Sequence, residues 1–428
     1  MLCDTGTTRL CEQAIEKLLR YCRRERWIGY DPYDALNSPL ARALSFKSKF
    51  LRTAAIQLVK RSPINFRPLI GIKKSLNPKG AALAMRAIML LASKRGIELA
   101  SEISFDANEH HGASLSQSTE THGSSRQAGG EPRLPGGLHG DFEFLINALT
   151  QARSEGQENF CWGYNFDWQS RAFFAPRGTP NAVCTVFAAH ALLDWHDATG
   201  NQTAFDCALS SCRFLLDALN RSEEENGFCF SYTPLDRSRV HNVNLLAAEL
   251  LARVYEKNGS EEFHHAAQRA AAWTLDHQQQ DGSWFYGEAD SQRWIDGFHT
   301  GYVLVSLRRL IDYLGRQDWT DHLERGFEFY KNNFFLEDFT PRYYHDRAYP
   351  IDIHSSAQAI ITFIEMGDDH RAARSMKWAV ENMQDEGGSF YFQKHRLYTI
   401  KTPYMRWSQG WMLYALSLFL SRATERKP

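Results

Sequence analysis

A short turn pairing glycine with an aromatic residue returns along this 428-residue chain at nearly constant spacing, and that repeat limits the fold more than any other feature. It occurs as Asn226-Gly227-Phe228, Asp281-Gly282-Ser283-Trp284 and Gly387-Gly388-Ser389-Phe390. Gly227 to Gly282 is 55 residues, and Gly282 to Gly388 is 106, or two units of 53. A period of that length marks a supersecondary unit that stacks on copies of itself.

The unit from Asn226 to Gln280 shows the logic. Leu245, Leu246, Ala247, Ala248, Leu250, Leu251 and Val254 form a helix that is apolar on nearly every side and belongs in an interior. Gly259 then breaks the chain. Phe263, Ala266, Ala267, Ala270, Ala271 and Leu275 form a second helix with one apolar face. One inner and one outer helix per unit is a helical hairpin, which buries its faces only against neighbouring hairpins. The expected fold is all-α, an (α/α) toroid of about six hairpins. Residues 141–421 carry the clear repeats. Residues 1–101, with helices expected at Thr8–Arg23, Ser38–Lys60 and Lys79–Ala92, supply the rest. Residues 102–140, poor in large apolar side chains, are expected to be a flexible linker or lid.

The starts of the inner helices align by count. Asn244, His299, His354 and Gln409 are each 55 residues apart, and each precedes an apolar run. Four polar side chains at one level of a ring would line a central cavity. Around them stand His241, Asn242, Asp296, Asp352, Arg406 and Trp407, and near the first hairpin Trp162, Tyr164, Asp167, Trp168, Arg177 and Asn181. Asn and Asp also cap helices routinely. His, Gln and Arg are poor caps, so the set as a whole points to a site.

Aromatic residues number 55 (27 Phe, 17 Tyr and 11 Trp). Trp162, Trp168, Trp284, Tyr286, Trp294 and Trp407 fall beside the polar groups, and flat rings next to carboxylates and amides suit a sugar. The candidate acids and bases are Asp167, Asp296, His299, Asp352 and His354. Paired carboxylates would act on a glycosidic bond. A His or Tyr beside an Arg would instead abstract a proton next to a uronic acid, with His299, Tyr302, Tyr404 and Arg406 as candidates. The sequence leaves both open.

The net charge of −1 conceals an uneven distribution. From Ala41 to Arg86 there are eleven Lys and Arg and no Asp or Glu, so the remainder carries −12. Apolar residues are interleaved, which fits an anionic membrane surface better than nucleic acid, for which no recognition motif is present. No apolar run is long enough to suggest a membrane-spanning helix, and Met1–Arg26, interrupted by charges, is not expected to act as a secretory signal. The eight cysteines show no C-x-x-C pair or zinc spacing. No metal or cofactor is expected, and the expected location is the cytoplasm, peripheral at the inner membrane.

Gln280-Asp281-Gly282-Ser283-Trp284 resembles the Gln–Trp repeat of terpene cyclases and prenyltransferases, although their Asp-rich motifs are absent. Four further segments are similar to toroid proteins of bacterial and archaeal polysaccharide-biosynthesis clusters. These are Gly29-Tyr30-Asp31-Pro32-Tyr33-Asp34, Pro63-Ile64-Asn65-Phe66-Arg67, Trp162-Gly163-Tyr164 with Asp167-Trp168, and Trp294-Ile295-Asp296-Gly297-Phe298-His299-Thr300-Gly301. That resemblance implies a six-hairpin, glycosidase-like fold and a role in surface or exopolysaccharide production. The expected partner is an oligo- or polysaccharide, lipid-linked where it is built at a membrane. The activity would be that of a hydrolase, lyase or epimerase. A non-catalytic glycan-binding protein and an isoprenoid-converting enzyme are the alternatives.

Overall fold

The computed structural model describes residues 5–45, 48–99 and 137–425, so most of the expected linker lies outside the described residues. Six inner helices form a closed ring: α4 (Pro78–Lys94), α6 (Ala182–Thr199), α8 (His241–Asn258), α10 (Gly297–Leu314), α12 (Ile353–Glu365) and α14 (Trp411–Glu425). Each packs on the next, and α14 closes on α4. The outer layer comprises α1 (Thr5–Arg24), α5 (Leu138–Gln151), α7 (Gln202–Ala218), α9 (Glu261–Asp276), α11 (Thr320–Asn333) and α13 (Asp369–Met383). The chain is an (α/α)6 toroid, and its N-terminal helices complete the ring: α1 packs outside α14 and α13.

Burial follows the sequence pattern. Every residue of α8 from His241 to Val254 is buried, whereas α9 buries one face through Phe263, Ala266, Ala267, Ala270 and Ala271. The repeating glycine has a steric cause. A Cβ on Gly227 would stand 2.1 Å from the Arg269 carbonyl oxygen of α9. The matching distances are 2.5 Å from Gly282 to Arg325 of α11, and 2.2 Å from Gly388 to Lys17 of α1. Each turn therefore seats a bare backbone on the next outer helix, and the last seats on α1, where the ring closes.

Two members of the 55-residue polar register serve this same joint. Asn244 accepts the N–H of Phe230 at 2.9 Å and donates to the Ala270 carbonyl at 2.7 Å. Gln409 bonds both the N–H and the carbonyl of Phe390, each at 2.8 Å. They clamp the glycine–aromatic turns and do not line a cavity. Equal spacing in sequence did not place the four side chains at one level, because the helices begin at different offsets: Asn244 is the fourth residue of α8, and His354 the second of α12.

The expected helix Ser38–Lys60 is divided into α2 (Pro39–Ser45) and α3 (Lys49–Arg61), with Ser48 capping α3 through the N–H of Leu51. A small core of Ala35, Leu36, Ile56 and Val59 holds this pair above α4. Since each inner helix is followed by an outer helix running back, the six inner N-termini meet at one end, the mouth. Three small antiparallel sheets decorate it: β1 (Trp168–Gln169) with β2 (Phe174–Ala175), β3 (Arg221–Glu223) with β4 (Phe228–Phe230), and β5 (Ile351–Asp352), β6 (Gln393–Lys394) and β7 (Thr399–Ile400). Among the described residues, no helix is long and apolar enough to cross a membrane.

Candidate active site

Asp296 ends an extended segment and caps α10, its Oδ1 accepting the N–H of His299 at 3.0 Å. Its Oδ2 accepts from Trp294 Nε1 at 2.8 Å and lies 2.7 Å from His299 Nδ1. A carboxylate at Nδ1 fixes the tautomer and leaves Nε2 as the basic atom. His299 Nε2 has no hydrogen-bond partner among the described residues. The ring borders a narrow cleft lined also by His241, Asn242, Tyr286 and Thr300.

On the next inner helix, Asp352 caps α12. Its Oδ1 accepts the N–H of His354 at 2.8 Å and Trp407 Nε1 at 2.9 Å, and its Oδ2 accepts Gln393 Nε2 at 2.6 Å. Burial raises its pKa against the pull of those bonds. His354 Nε2 lies 2.6 Å from the Tyr302 hydroxyl. Its ring packs between Phe298, Trp407 and Trp411 at centroid distances of 4.7, 4.6 and 4.7 Å. Burial pushes the pKa of His354 well down, and Lys79, Arg406 and His299 add to the effect, so the imidazole stays neutral. Burial likewise pushes the Tyr302 hydroxyl well up. The two side chains share one hydrogen-bonding proton between neutral groups.

Three cations border this aromatic nest. Arg406 forms a two-pronged ion pair with Asp31, at 2.6 and 2.8 Å, which commits it to the protein itself. Lys60 donates to the Tyr33 hydroxyl at 2.9 Å and lies over the Trp407 ring. Lys79 is 3% exposed and faces the rings of Phe187, Trp411 and Tyr302 at 4.3, 5.0 and 5.4 Å, with no carboxylate partner among the described residues. Burial, then the Arg406 charge, lowers its pKa well below the ordinary lysine range.

More aromatic rings widen the mouth toward the first hairpin. Trp168 meets Tyr164, Tyr232 and Phe173 at 5.6, 5.0 and 5.3 Å, and the hydroxyls of Tyr164 and Tyr232 lie 2.7 Å apart. Beyond Phe173 an open groove of about 410 Å3 runs past Leu235, Asp236, Arg237 and Arg239. Helix α3 roofs the sector above α4, with Arg52 over Phe174 at one end and Lys60 over Trp407 at the other.

The remaining sequence candidates take other places. Asp167 accepts the N–H of Arg177 at 2.8 Å and braces an exposed loop. Asn181 caps α6. His241 pairs with Glu288 at 2.8 Å, and burial keeps its pKa low. The Asn242 side-chain oxygen is buried without a partner beside the cleft. Tyr404 lies beneath Arg67, 4.8 Å away. The indoles of Trp162 and Trp284 donate to the carbonyls of Leu149 at 2.7 Å and Thr274 at 2.9 Å; Trp162 is core, and Trp284 also borders the His299 cleft. Sequence reasoning missed Asp31, Tyr33, Tyr232, Lys60 and Lys79. Asp31 and Tyr33 stood in the Gly29–Asp34 segment, and Lys79 stood next to the cap Asn77 at the head of an apolar helix, hidden in the basic run. Among the described residues, the group with metal-ligand spacing is Glu261, His264 and His265, at the opposite end of the ring from the mouth.

No protein-family model matches the sequence, and no curated protein matches it. Solved structures do share its fold. A cellobiose 2-epimerase from Bacillus thermoamylovorans superposes with a TM-score of 0.58 at 12% identity, covering 82% of this chain and 88% of the other. A GH76 alpha-mannanase from Bacteroides thetaiotaomicron gives 0.56 at 10% identity, with the same coverage of 82% and 88%. A sugar epimerase from a ruminal bacterium gives 0.56 at 12% identity, over 83% and 90%. The chain shares the six-hairpin, glycosidase-like architecture of these enzymes.

Proposed function

We propose that this chain is a carbohydrate-active enzyme of surface or exopolysaccharide production that moves a proton on a sugar, as an epimerase or lyase does, and does not hydrolyse a glycosidic bond. One observation carries the reading: the carboxylates that head α10 and α12, Asp296 and Asp352, are committed as helix caps, while His299 offers an Nε2 without a partner among the described residues, backed by Asp296. Hydrolysis needs two carboxyl groups open to the scissile bond. The oxygens of Asp296 and Asp352 already accept N–H donors. Proton abstraction needs a positioned base, which His299 supplies, and a second proton carrier, which the Tyr302–His354 pair supplies 6.1 Å from it, ring centre to ring centre.

In this mechanism His299 Nε2 takes the proton from a carbon next to a carbonyl or carboxylate, and Asp296 stabilises the imidazolium. The Tyr302 hydroxyl delivers a proton from the other side, or to the leaving oxygen in an elimination. The aromatic walls stack on the C–H faces of the sugar, and the groove past Phe173 accommodates the rest of an oligo- or polysaccharide. That the two epimerases with this fold act on sugars supports the substrate class. The resemblance of the Gly29–Asp34 and Trp294–Gly301 segments to polysaccharide-cluster proteins supports the pathway. An isoprenoid substrate would need an acid aimed into an apolar cavity, and neither capping carboxylate is free for that.

The test is incubation in D2O with a panel of neutral reducing disaccharides and uronic-acid-containing glycans. The wild type should incorporate solvent deuterium or form an unsaturated product, and His299→Asn should lose on the order of 10²–10⁴-fold in rate. Bond cleavage to saturated products without exchange would return the reading to hydrolysis. The narrowness of the cleft favours a second reading, glycan binding without turnover. In that case glycans bind, no exchange occurs, and His299→Asn leaves polysaccharide output intact.

A further inference from the structure

The hairpin α2–α3 has an apolar face that the fold does not use. Ile56 and Val59 of α3 turn inward onto Ala35 and Leu36. Phe50, Ala54 and Leu58 recur every four residues along the opposite face, and all three are exposed. Leu40 and Leu44 repeat that spacing on α2, and Leu51, Ile64 and Leu69 extend the patch through the loop that follows. Phe50 is 78% exposed and Leu69 88%. Seven of the twelve large exposed apolar side chains among the described residues fall within these 30 residues. Scattered exposed apolar residues need no explanation, but a contiguous patch does.

A second piece of chain joins the same surface. The β6–β7 turn, Lys394-His395-Arg396-Leu397-Tyr398-Thr399-Ile400-Lys401, is basic and carries no acid, and Leu397 at its tip is 91% exposed. Phe392, at its base, lies 6.0 Å from Lys60 of α3. That contact sets the turn beside the C-terminal end of α3. A shallow depression of about 510 Å3 between Leu58, Arg61, Pro63 and Phe66 continues the apolar area.

The charge of this surface is of one sign. Of the cations in 41–86, Arg67 and Arg86 are buried on Asp34 and Asp194 and Lys79 is in the mouth, so these are spent inward, while Lys74 pairs with Glu25 at the surface. Arg42, Lys49, Arg61 and Lys73 remain exposed among the apolar residues, joined by Arg396 and Lys401. No Asp or Glu lies between Ala35 and Leu76.

We propose that this face, formed by α2, α3, the loop 62–74 and the β6–β7 turn, docks the protein on an anionic lipid bilayer. Charge complementarity selects the leaflet, and the exposed leucines and Phe50 enter the boundary between headgroups and acyl chains. A soluble polyanion would use the cations and leave the apolar side chains in water. Because α3 also roofs part of the mouth, docking turns the mouth toward the membrane and fits a lipid-linked glycan as the substrate. That orientation rests on the sugar-site reading; the surface itself does not.

The test is flotation of the full chain with vesicles of phosphatidylcholine alone, or with about 30% phosphatidylglycerol, and no sugar present. The protein should float with the anionic vesicles and not with the neutral ones, and added salt should weaken the binding. Replacing Phe50, Leu69 and Leu397 together by Ser should weaken it roughly a hundredfold with the unfolding transition retained. Arg42→Gln with Lys49→Gln should weaken it roughly fivefold per charge. Equal binding to both vesicle types, or to neither, would overturn the proposal. So would binding to a soluble anionic polymer as tightly as to vesicles, untouched by the serine substitutions. Absence of deuterium exchange with vesicle binding intact would count against the catalytic reading only.

Discussion

The ring buries polar groups at both ends, and the two ends treat them differently. Toward the closed end the charges are paired off. Arg86 and Arg253 share Asp194 at 2.6 and 2.7 Å, and Arg253 also reaches Asp197 at 2.8 Å. Arg309 bonds Glu249 at 2.8 Å and also meets Glu365, while Ser306 donates to Glu249 at 2.6 Å. Burial works against the ionised form of Asp194, but the two arginines overcome it and hold its pKa well below the usual range. At the mouth, among the described residues, His299 keeps a nitrogen without a partner, Lys79 has no carboxylate partner, and two neutral groups share a hydrogen bond. Burial of charge alone therefore does not mark a site. Incomplete pairing among rings that can hold a ligand does.

The difference can be broken by mutation at either end. Arg309→Met removes the main partner of a buried carboxylate and should lower the unfolding free energy by about 3–5 kcal/mol, read by urea denaturation. A loss below about 1 kcal/mol would mean that the closed end is not held by pairing.

Lys79→Met should act in the opposite sense, raising stability near neutral pH by on the order of 1 kcal/mol or more, because an unpaired buried cation is a cost. The folded pKa of Lys79 lies below the unfolded one, so that cost is full below the folded pKa and fades as pH rises toward about 10.4. The advantage of the Met variant should shrink from pH 6 to pH 9.5. A destabilised variant, or a constant advantage, would show that Lys79 is paired after all.

The smallest effect is at His354. Its folded pKa lies below the unfolded value of about 6.5, so the unfolded state takes up a proton that the folded state refuses as pH falls. Wild type should lose more stability between pH 7.5 and pH 5 than His354→Gln does. The other buried histidines are common to both chains and cancel in the difference. Equal losses would mean that His354 is not held neutral by its surroundings.

The ring was legible in the sequence because its cause is local. A run as apolar on nearly every side as Leu245–Val254 belongs to an inner helix, and a glycine forced against a carbonyl must recur wherever the joint recurs. The mouth was half legible. Asp296, His299, Asp352 and His354 could be picked out because His is a poor cap at the head of an apolar helix. Asn244 and Gln409 shared their spacing but not their level, since a count along the chain ignores where each helix starts. Lys79 was not legible, because its burial depends on α6, α10 and α14, all distant in sequence, closing around it. The +11 segment also divided in a way no pattern reveals: some of its cations turn inward to Asp34 and Asp194, and others stay exposed with the leucines.

The most direct test of the central claim is solvent exchange at a single sugar carbon, followed by proton NMR in D2O for the wild type and His299→Asn side by side. The wild type should lose the signal of one hydrogen next to a carbonyl or carboxylate, by solvent exchange or by elimination to an unsaturated product, while the variant keeps that signal and its fold. Release of free sugar by both proteins with the signal intact would contradict the assignment of His299 as the base.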